Sequence, residues 1–130
     1  MILTKDILKQ VSEEAKSSPR LRMNYNLHKS FDDSVQRMFN ALEPGTQVPI
    51  ARHPYSSETL IILSGRLRIL IYDGRKSVIE DVVIEANSDN FGYHIPKGTW
   101  HQVESLEHGT VCFETREGPY TPVAECDILK

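Results

Sequence analysis

Over residues 59–115 the chain is a series of short apolar runs cut by turn residues, with no room between them for a helix. TLIIL runs into Ser64-Gly65, and RLRILIY alternates Leu67, Ile69 and Ile71 against Arg66, Arg68 and Leu70. Asp73-Gly74 then marks a hairpin before SVIEDVVIE. Residues 87–90 read as a loop, FGYHIP as a strand and Pro96-Lys97-Gly98 as a tight turn, with further strands over 100–106 and 110–115. Seven or more short strands without intervening helices restrict the fold to an antiparallel sandwich or barrel.

Upstream the periodicity is mixed. Residues 4–16 predict a helix with Thr4 as N-cap, Ile7, Leu8, Val11 and Ala15 on one face, and Ser17-Ser18-Pro19 as its end. Residues 20–28 alternate strictly: Leu21, Met23, Tyr25 and Leu27 form one side, and Arg20, Arg22, Asn24, Asn26 and His28 the other. That polar side has two readings, a solvated outer face or the wall of a pocket for a polar, anionic ligand. Val35, Met38, Phe39 and Leu42 would make a helical stripe, but the exit through Glu43-Pro44-Gly45 fits a strand slightly better. The expected organisation is an N-terminal helical arm over 1–18, one barrel domain over 19–120 and a covering tail over 121–130.

Composition bounds the function class. With 39% hydrophobic and 25% charged residues, the balance is that of an ordinary globular chain. A formal charge of −3 gives no electrostatic case for nucleic acid or an anionic membrane. Cys112 and Cys126 have no metal-type spacing and do not make a disulfide framework, which points to a reducing compartment. The start MILTKDILKQ places lysines among its apolar residues, unlike a signal peptide, and no apolar run approaches the ~20 residues of a membrane span. A soluble, cytoplasmic protein is the expectation.

His53, Glu58 and His101 lie beside turns and at strand ends. Two imidazoles and a carboxylate converging from separate strands suit a divalent transition metal: Fe, Mn, Zn, Ni or Co. Their setting has a framework. Gly45 is followed by five residues, then Ala51-Arg52-His53, four residues, Glu58, six residues and Gly65; later come Pro96, Gly98 and His101. These intervals resemble the two cupin motifs, glycine, His-x-His, Glu, glycine and Pro-x-Gly-x-x-His, with the second motif's leading glycine falling at Asn90 and its final Asn at Ser105. More narrowly, RLRMNYNLH, SVQRMFNALEPGT, RHPYSSET, IPKGTWHQV and TVCFETREGPY resemble the WbuC-type cupin-fold metalloproteins, small bacterial proteins found with surface-polysaccharide biosynthesis.

The resemblance implies an all-β fold, a cupin double-stranded β-helix (jelly-roll) barrel with a short N-terminal helix and a metal between its sheets. It also favours the pocket reading of Arg20, Arg22, Asn24, Asn26 and His28. One position departs from the pattern. Ala51 stands where the first motif histidine belongs and cannot ligate, and Arg52 beside it is cationic and has no usable lone pair. His28 and His94 are the other imidazoles that invite consideration as substitutes. Trp100 is a candidate for stacking on a sugar ring. Glu114, in FETREGPY, reads either as an outer acceptor for a ligand histidine or, more commonly for such a residue, as an exposed strand carboxylate.

Two functional readings follow. The chain binds a divalent metal through His53, Glu58 and His101 and binds or acts on a small polar metabolite such as a sugar or nucleotide-sugar. The catalytic residues and the reaction (isomerisation, epimerisation, lyase chemistry or Fe(II)-dependent oxygenation) stay open. Alternatively it is a non-catalytic binding or assembly cupin whose metal site has decayed at Ala51. A homodimer is expected because open sheet edges need cover.

Overall fold

The computed structural model describes residues 1–130. Helix α1 (Lys5–Ser17) is followed by ten strands: β1 (Arg22–Asn26), β2 (Val35–Leu42), β3 (Ile50–Ala51), β4 (Glu58–Ser64), β5 (Arg66–Tyr72), β6 (Val78–Glu85), β7 (Gly92–Ile95), β8 (Trp100–Ser105), β9 (Thr110–Glu117) and β10 (Ile128–Leu129). They form two antiparallel five-stranded sheets, ordered β1-β2-β9-β4-β7 and β10-β3-β8-β5-β6. This is the expected jelly-roll barrel with one short N-terminal helix.

Alternation places one side of each strand between the sheets. Leu60 and Ile62 of the first sheet meet Leu67, Ile69, Ile71 and Ile84 of the second, with Ile95 and Cys112 completing an apolar core. Burying such side chains supplies roughly 1.5–3 kcal/mol each before conformational entropy is charged against it. A second cluster lies outside the barrel, where Val11 and Ala15 of α1 cover Phe39, Ala41 and Val111, flanked by Met23, Tyr25 and Leu27. The apolar side of β1 therefore faces the helix, and its polar side turns toward the barrel interior. Thr4 sits at the N-cap of α1, but its side chain makes no capping hydrogen bond.

Over residues 38–42 strand β2 buries apolar side chains on both faces, which explains its mixed signal. Phe39 and Ala41 pack under the helix, while Met38 and Leu42 are buried toward the barrel. The tail does more than cover. A 3-10 turn over Glu125–Asp127 leads into β10, which pairs with β3 through Ile128↔Ala51 and Leu129↔Ile50. The Asp73-Gly74 hairpin joins β5 to β6, and the Asp73 carboxylate accepts from the Arg75 and Ser77 amides at 2.8 and 2.9 Å.

Gly65 has a steric reason to be glycine. Its φ of +77° lies in the left-handed region, and a Cβ there would collide with the Thr110 side chain and lie 2.7 Å from the Thr110 Cα. Gly65→Ala is therefore expected to destabilise the protein by about 2–4 kcal/mol, combining backbone strain with overpacking. Urea unfolding of the two proteins measures it, and a loss below about 1 kcal/mol would show that the β4–β5 turn tolerates a side chain.

Candidate metal centre

Each motif residue is delivered by a different piece of backbone. Sheet pairing ends β3 at Ala51, the loop over 52–57 carries His53, and Glu58 is the first residue of β4. His101 lies on β8, directly opposite Ala51. Glu58 thus comes from one sheet and His101 from the other. His101 Nε2 is 2.8 Å and His53 Nε2 3.7 Å from the same Glu58 oxygen, and one ligand atom from each of the three residues lies within 4.8 Å of the others. Donors held about 2.1 Å from one metal ion sit roughly 3.0 Å apart at right angles and about 3.4 Å apart in a tetrahedron. The donor set fits a divalent transition metal, and the 2.8 and 3.7 Å separations bracket these distances.

The surroundings fix these side chains. His101 Nδ1 lies 2.9 Å from the Thr99 carbonyl, so that nitrogen carries the proton and Nε2 is left to face Glu58. The turn of the second motif is tied to the first, since the Gly98 amide donates to the His53 carbonyl at 2.9 Å. The tail braces the same loop: Arg52 donates from its amide to the Asp127 carbonyl at 3.0 Å and from Nε to the Asp127 carboxylate at 2.8 Å. On the other flank, Glu117 accepts from the Ser57 hydroxyl at 2.8 Å and pairs with Lys97 at 3.0 Å.

Charge inside the site is tightly coupled. Burial alone would raise the Glu58 carboxyl, but the hydrogen bond and charge of His101, with help from His53 and Arg116, bring it down to about 2. Burial works against protonated His101, yet Glu58 more than offsets it and the imidazole rises above its ordinary value. His53 is lowered, chiefly by burial. Glu114 is pushed up to about 8, first by burial and then by the nearby charge of Glu58.

A cavity of about 560 Å³ opens beside this cluster, within the range of small-molecule sites. His53, Glu58, His101 and Ala51 line it, and so do Arg20, Arg22 and Asn24 from the alternating N-terminal stretch. Asn26, His28 and Trp100 are not among its lining residues. His28 falls beyond the end of β1, where its Nδ1 lies 3.1 Å from the Arg37 amide; His94 is exposed on β7 beside Thr59. Neither stands in for the absent motif histidine. Trp100 lies under the Arg52 guanidinium, 4.5 Å from its ring centroid, outside the cavity. Tyr55 is exposed, and the Tyr93 hydroxyl donates to Glu80.

The expectation that Glu114 is an exposed strand carboxylate is corrected. It is buried, accepts from Asn40 Nδ2 at 2.8 Å, lies 3.4 Å from Arg116 Nε and lines the cavity. Its alternation with Phe113 already put it on the side opposite an apolar residue. That side is the barrel interior, because Phe113 packs against the helix-covered cluster. Asn40 and Arg116 were also missed. Only strand pairing brings them together, through Asn40↔Cys112 and Glu58↔Arg116.

The shifts set a pH dependence for protein treated with a chelator. A raised His101 contributes stability fully below the ordinary imidazole value of 6.5 and loses it as pH rises through the raised one. Glu58, lowered to about 2, contributes above its ordinary 4.5 and loses that only in stronger acid. Lowered His53 acts with the opposite sign, below 6.5, and Glu114 adds a loss of the same sign as His101 up to about 8. Urea melts across neutral pH should therefore show stability falling above pH 6.5. The fall should be shallower in His101→Asn; equal slopes would mean that His101 is not held in its charged form.

A family model described as "Domain of unknown function (DUF6016)" matches residues 3–84, well over half of the chain. No curated protein sequence matches. Among solved structures, the capsular polysaccharide assembling protein CapF from Staphylococcus aureus superposes with a TM-score of 0.65 at 19% identity, over 82% of this chain and 29% of that one. KdgF from a Halomonas species gives 0.61 at 12% identity, over 80% and 84%. The cupin domain of Cnp3 from Schizosaccharomyces pombe gives 0.59 at 11% identity, over 74% and 64%. This chain thus spans under two thirds of the CapF and Cnp3 chains. These likenesses agree on the barrel, so the chain has the cupin fold, and by its family match it belongs to the DUF6016 family.

Proposed function

We propose that this is a WbuC-type cupin that holds one divalent transition metal through His53, Glu58 and His101, and that binds a small polar metabolite in the adjoining cavity. The observation that carries this reading is the convergence of three neutral or anionic donors within 4.8 Å, one of them already oriented by the Thr99 carbonyl. Nε2 of His101 faces a carboxylate oxygen at 2.8 Å, which requires a proton between them, and His101 would have to release that proton to hold a metal. When bound, the metal supplies a Lewis acid that polarises an oxygen of the ligand. Glu58 and His101 would then be fixed donors, with Leu60, Leu67 and Val103 supplying apolar lining to the adjoining cavity. A sugar or nucleotide-sugar in surface-polysaccharide assembly is the setting we favour. It is supported by the family resemblance and by the presence of a capsular polysaccharide assembling protein among the structural relatives.

Ala51 favours a second reading. It lines the cavity opposite His101 and offers no donor, so a barrel with a weakened metal site acting only as a binding module has a specific residue behind it. Metal analysis of protein purified without metal-affinity resin separates the two. About one equivalent of metal after reconstitution, lost in His101→Ala, is expected. Metal that stays substoichiometric and is unchanged by His101→Ala would sink the metalloprotein reading. Because residue 51 faces the site, Ala51→His is expected to tighten metal binding by roughly tenfold or more, a scale on which even outer partners act. An unchanged dissociation constant would show that the added imidazole does not reach the ion.

A further inference from the structure

The polar wall of the cavity is chemically unbalanced. Arg20 and Arg22 both line it and neither forms an ion pair, whereas Arg116 has the Glu114 carboxyl 3.4 Å from its Nε. The Nε of Arg22 is shielded from solvent and has no hydrogen-bond partner, and the same holds for Oδ1 of Asn40. Buried polar atoms are almost always paired, so two orphans on neighbouring residues of the cavity wall mark groups that a ligand would satisfy once those side chains turn toward it. Register puts them together. Arg22 pairs with Leu42 and Asn24 with Asn40, which makes Arg22 and Asn40 diagonal cross-strand neighbours, with backbones about 7–8 Å apart.

The two orphans ask for different things. A guanidinium Nε donates, and with the uncompensated charge of Arg20 beside it the fitting acceptor is an anion. One hydrogen of the Asn40 amide nitrogen is committed to Glu114, and its carbonyl oxygen, the atom left without a partner, requires a donor. A hydroxyl on the same molecule as the anionic group meets both needs. Neutral sugars lack the first group and simple fatty or aromatic acids lack the second.

We propose that Arg22 and Asn40 form the recognition subsite for an anionic sugar, its carboxylate or phosphate on Arg22 and an adjacent hydroxyl on Asn40 Oδ1. Its Arg22 end is remote from the His53, Glu58 and His101 cluster, while Asn40 connects toward Glu58 through Glu114. Arg22 lies level with Leu42 on β2, and Glu58 lies level with Gln36 by way of Arg116, six positions apart along that strand. At the strand rise this is roughly 20 Å of sheet, before side chains reach back. An anionic monosaccharide on Arg22 therefore occupies its own part of the cavity. This deepens the proposed function and rests on it only in taking the cavity as a site for a small polar ligand.

Calorimetric titration with four probes tests it: glucuronate, glucose 6-phosphate, glucose and cyclohexanecarboxylate. Saturable binding is expected for one or both anionic sugars, the stronger of them naming the acid group, and much weaker binding for glucose and cyclohexanecarboxylate. Arg22→Met keeps the apolar stem and removes the charge. It should weaken the anionic sugar by about 30-fold or more, as loss of one partner from a buried charge pair does, while metal content and the circular dichroism spectrum stay as in wild type. His101→Ala should do the reverse, losing metal and keeping sugar affinity, so failure of the metal reading leaves this one standing. The subsite assignment is overturned if neither anionic sugar saturates at millimolar concentration, if glucose or cyclohexanecarboxylate binds as tightly, or if folded Arg22→Met retains wild-type affinity.

Discussion

A buried carboxylate on one sheet faces an imidazole on the other, and that contact organises the interior of the barrel. Glu58 opens β4 and His101 sits on β8, so their 2.8 Å approach spans the two sheets at the polar end of the core. A charge pair in such a place is costly unless every remaining hydrogen-bonding position is used. Here the use is thorough on the imidazole side. Thr99 holds the second nitrogen of His101, and the turn containing Thr99 is itself anchored through Gly98 to the backbone of His53. The loop that carries His53 is clamped by Asp127 from the tail and by Glu117 from β9. Sites held this way keep their donors in place before any ion arrives, which is what a small barrel needs if binding is not to be spent on ordering loops.

The parts of this arrangement that depend on local chemistry were readable in the sequence. Gly45, Gly65 and Gly98 all have positive φ, and each marks a turn between strands on the way into or out of the His53, Glu58 and His101 cluster. Because those turns are short, intervals in sequence translate into positions in space, and the histidines and glutamate of the two motifs meet as the spacing implied. The fold was legible for the same reason, since alternation and turn residues act over only a few positions.

What was not legible depends on pairing between distant strands. Residues 35–42 gave a mixed signal because α1 covers the outside of β2, so both faces are apolar and the period of two is lost. Glu114 was read as exposed because a strand carboxylate normally is. Its burial follows from β9 lying between β2 and β4 in the middle of a sheet, with the helix-covered side taken by Phe113. The role of the tail depended on a two-residue strand, β10, too short to leave a periodic trace. Arg22 and Asn24 were half legible: alternation put them opposite the apolar residues, but only the helix decides which side is inside.

Ala51 links the His53, Glu58 and His101 cluster to the rest of the cavity. In a four-ligand cupin its position would hold an imidazole on β3, filling the space opposite His101. A methyl group there leaves that flank of the cluster open to the cavity, and Glu114 does not close it. Glu114 is not one of the grouped donors, and burial beside the Glu58 charge favours its protonated form up to about pH 8. Two carboxyl groups so placed divide their roles, Glu58 ionised toward the imidazoles and Glu114 directed to Asn40 and Arg116. The loss of one protein donor thus coincides with a polar wall running from Glu114 through Asn40 to Arg22. Residue 51 therefore bears on how far the His53, Glu58 and His101 cluster opens to the cavity.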